Sequence, residues 1–102
     1  MIYCFDIDGT ICSNTNGEYE KSQPLYDRIE VVNNLYDAGH IIKFDSARGS
    51  TTGIDWGEIT KKQLMDWGVK YHELRVGVKM QADIFVDDKG ISDKIFFEDE
   101  IQ

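Results

Sequence analysis

The sequence predicts a small α/β domain, with a mainly parallel sheet and helices in three α/β/α layers. Three observations point there. Short, almost wholly apolar runs start at Ile2, Ile41 and Ile84, and apolarity on both faces suits buried parallel strands better than half-exposed antiparallel ones. Stretches with helical spacing lie between strand-like runs, and that alternation winds into right-handed βαβ units. Each clear run also closes on a carboxylate, at Asp6, Asp45 and Asp87. In a sheet of this kind the carboxyl ends of the strands form the ligand crevice.

The elements follow in order. Ile2 to Phe5 is a buried strand ended by Asp6 and Gly9. Thr10 to Pro24 is polar, with Ser13, Asn14, Asn16 and Gly17 clustered, and reads as a loop or short hairpin. Leu25, Ile29, Val32 and Tyr36 form one helical face, with Pro24 expected at the first helical position and Gly39 as the C-cap. A second strand spans Ile41 to Phe44 and ends in Asp45-Ser46. Trp56, Ile59, Gln63 or Leu64, and Trp67 mark a second helix stopped by Gly68, with both tryptophans expected on its core stripe. A weaker strand follows around Leu74 to Val76, and a last clear one at Ile84 to Val86 runs into Asp87-Asp88. The stretch KIFFEDEIQ is a short helix or a packed tail.

Length and composition fit one domain over residues 1–102, with 41% apolar and 12% aromatic residues arguing against wholesale disorder. Eleven Lys+Arg stand against 19 Asp+Glu, a formal net charge of −8. That balance disfavours nonspecific binding to nucleic acid or to an anionic membrane. A phosphate-bearing ligand must then be held by a few local cations or by a metal. Two cysteines, Cys4 and Cys12, are too few to staple a small secreted domain. No apolar run approaches the roughly 20 residues of a membrane span, and MIYCFDIDG lacks the basic start of a signal peptide. A cytoplasmic location is the expectation.

The chemistry is carried by carboxylates. In FDIDGT, Asp6 and Asp8 stand two residues apart just past a buried strand, and an extended backbone would point them the same way. Two close like charges are costly unless a cation lies between them, and a hard ion such as Mg2+ takes oxygen ligands. Asp87-Asp88 would complete an acidic cup from another strand, one as direct ligand and the other through water. The plainer alternative is that strand-end aspartates are turn formers and helix caps. Phosphoryl transfer further needs donors for the phosphoryl oxygens and a cation against charge developing in the transition state. Ser46 supplies a hydroxyl and Lys79 a cation, though most lysines are merely solvated.

The set FDIDGT, Ser46 in DSARGS, Lys79, and VDD at 86–88 resembles the haloacid dehalogenase (HAD) superfamily of aspartate-based phosphatases. The likeness covers nearly the whole chain. The DxDGT stretch at 6–10 is its most specific part, and the other three are weak singly but fall in the right order. Within the superfamily, LYDAGHIIKF, DWGEITKKQLMDWGVKYHEL and ADIFVDDK are similar to small proteins of capsular-polysaccharide and heptose phosphate metabolism. The resemblance implies a HAD-like Rossmannoid and phosphatase activity on a small sugar phosphate. It implies Asp6 as the nucleophile that forms an aspartyl-phosphate and Asp8 as the acid, then the base, with its main-chain carbonyl on Mg2+. Ser46 would bond the phosphoryl oxygens, Lys79 would neutralise charge, and Asp87 would coordinate Mg2+ with Asp88 assisting. The acid and the nucleophile must differ in protonation, so their environments must differ.

The chain departs from the superfamily in three ways. Ser46 stands where Thr is common, and Asp45 where an apolar or aromatic residue is expected. Asp45 would either repel substrate or point into a neighbouring loop. There is no cap domain: residues 10–24 make at most a flap, so the site should be open. A homodimer closing over it is compatible with the plentiful Trp, Tyr and Phe. Arg48 is expected either to clamp a substrate phosphate bidentately or to pair with an acid. His72 reads as a rim contact or a structural histidine, and His40 as structural. Cys4 is a core residue, and Cys12 lacks a group to activate it. Two other functions fit less well. A nucleotide or polynucleotide end phosphatase shares the DxDGT start but would want a basic stripe. A noncatalytic metal- or phosphate-binding module would not need the full set of site residues.

Overall fold

The computed structural model describes residues 1–49, 55–77, 84–87 and 91–101. Five parallel strands form one sheet in the order β3-β2-β1-β4-β5, with β1 at Ile2–Phe5, β2 at Ile41–Ser46, β3 at Glu73–Val76, β4 at Ile84–Asp87 and β5 at Ile91–Ser92. The helices are α1 (Tyr26–Asp37), α2 (Gly57–Asp66) and α3 (Asp93–Ile101). This is the small, uncapped, Rossmann-like α/β fold that the alternation predicts. The chain winds outward from β1 through β2 to β3, then crosses to the other side of β1 for β4 and β5. The reversal puts a topological switch point at the carboxyl end of β1, where such sheets bind ligands.

The core follows from strand alternation. Phe5 lies in register with Phe44 of β2 and Val86 of β4, and all three are fully buried. Their face of the sheet meets Ile29 and Val32 of α1, Leu64 of α2 and Phe97 of α3. Right-handed crossovers running in one direction place α1 and α2 on the same face. The Asn33 side chain ties them, donating to the Gly68 carbonyl (2.9 Å) and accepting from the Lys70 amide (2.8 Å). Because α3 packs on α1, all three helices share that face. The other face of β2 and β3 carries Lys43, Asp45, Glu73 and Arg75, and Lys43 and Glu73 pair at 3.8 Å. Among the described residues, then, helices cover one side of the sheet, where the sequence leads one to expect both.

Local differences have simple causes. The N-cap of α1 is Leu25, so Pro24 stands outside the helix and bridges back to Cys12. Gly39 does end α1: its φ of +95° is cheap only for glycine, and its amide reaches the Tyr36 carbonyl at 3.1 Å. In α2 the buried stripe is Thr60 and Leu64, while Ile59 turns outward. Trp56 and Trp67 are the caps of that helix and half-buried; Trp67 packs against the core as expected, whereas Trp56 meets the Tyr19 ring instead. Of the two alternatives for the C-terminal stretch, residues 94–101 form a helix as part of α3, with Phe97 its buried anchor. Among the described residues no helix is long and apolar enough to cross a membrane.

Candidate active site

Asp6 follows the last residue of β1, and its backbone N–H donates to the Val86 carbonyl (3.1 Å). That bond holds the ends of β1 and β4 side by side. Asp87 closes β4 in the next register position, so its backbone lies beside Asp6. Carboxylates carried on adjacent strand ends are the donor type that suits a hard divalent ion. Among the described residues no three potential ligand side chains converge; Asp6 is the described member, and Asp88 and Lys79 lie outside the described residues.

After Asp6 the chain leaves the strand. The amides of Thr10 and Ile11 both donate to the Ile7 carbonyl, at 3.1 and 3.0 Å, closing one tight turn. Buried Ile7 and Ile11 anchor it in the core, and Gly9 takes φ +78° at its apex. From α1, Arg28 donates to the Thr10 carbonyl at 3.0 Å and rests its guanidinium over the Phe97 ring. The extended-backbone argument for Asp6 and Asp8 therefore stops at Asp6. The Asp6 carboxylate accepts the Ile7 N–H at 2.8 Å, and a different partner sets the direction of Asp8.

That partner is Arg48. Its Nε and Nη2 donate to the two Asp8 oxygens at 2.9 and 2.8 Å, a bidentate pair. Its Nη1 donates to Thr60 Oγ1 (3.1 Å) and Gln63 Oε1 (2.7 Å) on α2, and Nη2 also faces Cys12 Sγ at 3.9 Å. The Tyr19 ring of the flap lies over the guanidinium at 4.6 Å. The Arg48 side chain is 0% exposed against 18% for Asp8. The clamp foreseen for a substrate phosphate is thus spent on an internal acid, the other of the two expectations for Arg48. Arginine is almost never fully buried unless paired, and here all five N–H groups have partners.

Ser46 ends β2, buried at 1% exposure, with its hydroxyl oxygen accepting the Arg48 amide at 3.2 Å. Asp45 lies in register with Arg75, on the face away from Phe44. Its side lies opposite that of Phe44 and Ser46, which alternate with it along β2. The flap is tied down: Gln63 Nε2 donates to the Tyr19 carbonyl (2.6 Å), and the Tyr19 ring meets Trp56 edge-on. His40 and His72 are both at the opposite end of the sheet. His40 packs edge-on against Tyr3, while His72 stacks on Tyr36 and accepts the Ile42 amide through Nδ1. Sequence reasoning missed Tyr19, Thr60 and Gln63. Only the burial of Arg48 brings them together.

Burial pushes the Cys12 thiol up to about 12 from 9.0, and the nearby Asp8 carboxylate adds to the rise while Arg48 opposes it. A raised value favours the neutral thiol, so the thiolate is scarce at neutral pH. In the folded protein at pH 8, Cys12 should react with iodoacetamide about a thousandfold more slowly than an unhindered thiol. Peptide mapping of native against urea-unfolded samples checks this, and fast native labelling would count against the packing around Asp8.

No protein-family profile matches the chain, and no curated protein does. Two solved structures resemble it. A target protein from Vibrio cholerae shares 24% identity with a TM-score of 0.74, over 99% of this chain and 94% of its own. A hypothetical protein from Xanthomonas campestris shares 22% identity over 78% of this chain and 41% of its own, with a TM-score of 0.46. The first shows that the whole fold recurs, nearly end to end, in a crystal structure. Neither description names an activity.

Proposed function

We propose that the chain is a Mg2+-dependent phosphomonoester hydrolase of the HAD superfamily, working through an aspartyl-phosphate on Asp6. One observation carries this reading: the DxDGT stretch closes the central strand at the switch point, next to the strand end that carries Asp87. An Asp6 carboxylate oxygen attacks phosphorus while the ester P–O bond breaks, and the departing oxygen takes a proton that the resemblance assigns to Asp8. Because both Asp8 oxygens accept from Arg48, Asp8 must first give up one of those bonds and take up a proton from solvent. Water then attacks the aspartyl-phosphate, Asp8 takes the proton back, and inorganic phosphate leaves with Asp6 restored. Asp6, the Asp8 main-chain carbonyl and Asp87, with Asp88 assisting, would hold Mg2+. Held there, it would offset the charge that gathers on the phosphoryl oxygens. Ser46 and Lys79 complete the donors to those oxygens.

A small sugar phosphate is the substrate class, on the strength of the resemblance. The open site suits substrates with bulk of their own, or a second copy of the chain closing over it. Nucleic acid and membrane are disfavoured by the net charge of −8, and the absence of a disulfide-forming pattern fits the cytoplasm. The test is phosphate release from a panel of sugar phosphates, nucleotides and 3′-phosphorylated oligonucleotides. Release from sugar phosphates should vanish on chelation and return with added Mg2+. Preference for the oligonucleotides would reassign the substrate. Folded, Mg2+-binding protein inert on the whole panel would leave a noncatalytic binding module.

A further inference from the structure

We propose that a second copy of the chain pairs with β3 edge to edge and antiparallel, joining two sheets into one across a twofold axis. The inference stands apart from the phosphatase reading. Among the described residues β3 is one edge of the sheet and β5 the other. A two-residue strand such as β5 is too short to recruit a neighbour, which is a common way to blunt an edge. β3 is twice as long, reads Glu-Leu-Arg-Val, and has no proline to block pairing. Its inner bonds decide which groups face outward. The His72 amide donates to the Ile42 carbonyl, so every second residue from there turns its N–H towards β2. Glu73 and Arg75 turn theirs away from the sheet, and both residues are exposed.

An antiparallel partner must meet those two residues. Where Glu73 stands opposite Arg75 of the second copy, symmetry sets Arg75 opposite Glu73, and each pair exchanges both of its backbone hydrogen bonds. Leu74 then meets Leu74 of the second copy on the axis, on the face that carries Phe44. A slip of two residues sets Glu73 against Glu73 or Arg75 against Arg75, and like charges directly opposite are destabilising. The edge therefore fits itself in one register. β2 extends the pattern, because Lys43 lies beside Glu73 and Asp45 beside Arg75. Across the joint the row runs Lys43, Glu73, then Arg75 and Asp45 of the second copy, alternating in sign throughout. The Lys43–Glu73 pair is long, at 3.8 Å, and the Glu73 side chain is 55% exposed, so that pair holds Glu73 only weakly. Because the strands run antiparallel, the two crevices open at opposite ends of the joined sheet. This pairing leaves each of them uncovered.

Sedimentation equilibrium of the whole chain over a concentration series tests the pairing. Wild type should pass from monomer to dimer as concentration rises, and added salt should weaken the dimer by screening its exposed charges. Glu73→Arg makes the outward edge wholly positive, and Arg75→Glu makes it wholly negative. Each variant alone should dimerise about tenfold or more weakly than wild type, because one substitution turns both symmetry-related pairs repulsive. An equimolar mixture of the two should form a heterodimer far more tightly than either variant pairs with itself. A role in folding alone gives no such rescue. If a charge reversal fails to fold, amide exchange in wild type decides instead. The Glu73 and Arg75 amides should exchange more slowly as concentration rises, while the Leu74 amide, which faces β2, should not change. A monomer at every concentration would overturn the proposal. So would a dimer that ignores both reversals, or one that leaves the Glu73 and Arg75 amides exchanging at a constant rate, since its interface would lie elsewhere.

Discussion

Asp6→Asn is expected to stop phosphate release while leaving the fold in place. An amide oxygen is a poor nucleophile towards phosphorus, so the covalent step has no attacker. Where a nucleophile has been removed from a hydrolase that acts through a covalent intermediate, the loss in kcat is on the order of 10^6. The structural cost is small because the replacement has the same shape. The Asp6 carboxylate accepts the Ile7 N–H at 2.8 Å, and an asparagine carbonyl can accept the same bond. Stability should change by less than about 1 kcal/mol, the net worth of a typical hydrogen bond. Activity and melting temperature must therefore be measured on the same sample. Acid-quenched wild type should carry one phosphoryl group on the peptide containing Asp6, and the variant none. A variant that keeps the wild-type rate would remove Asp6 from the chemistry.

What the sequence discloses depends on whether a signal is local. The strands β1, β2 and β4 are legible because each opens on a short run rich in apolar residues, such as IYCF, and the aspartate that follows is part of the same string. The stop of α1 is legible for the same reason, since Gly39 is needed where φ turns positive. β5 is not: two residues, Ile91 and Ser92, carry no period. Among the described residues the helices lie on one face of the sheet, and the chain between β3 and β4 is short. Seven residues separate Val76 from Ile84, a spacing visible in the sequence itself. The site divides along the same line. Asp6, Asp8 and Asp87 announce themselves as strand-end acids. For Arg48 the sequence leaves two roles open and cannot choose, since its partners lie 12, 15 and 40 residues away on the chain. In a one-dimensional reading a buried arginine and a solvated one are the same letter.

The largest stability loss should come from Phe5→Ala, and it should reach the site as well. Phe5 is fully buried on the central strand, with rings of Phe96, Phe44, Phe97 and Tyr3 at 5.8, 5.9, 6.1 and 6.1 Å. Those neighbours belong to β1, β2 and α3, which cannot all close inward on one vacated ring. Truncating a phenylalanine in such a setting costs about 3–5 kcal/mol, a large share of the roughly 5–15 kcal/mol that holds a domain folded. At about 5 °C per kcal/mol for a chain of this length, the melting temperature should fall by about 15–25 °C. Met65→Ala is the control: that side chain is 72% exposed, and its loss should stay within about 0.5 kcal/mol. A drop of only a few degrees for Phe5→Ala would mean that the helical layer, and not the aromatic cluster under β1, holds the sheet. The position has a second consequence, because Phe5 immediately precedes Asp6 and shares its strand end with Val86. A cavity there frees the strand whose backbone aims the nucleophile. Activity measured well below the lowered melting point should therefore fall too, whereas Met65→Ala should leave it unchanged.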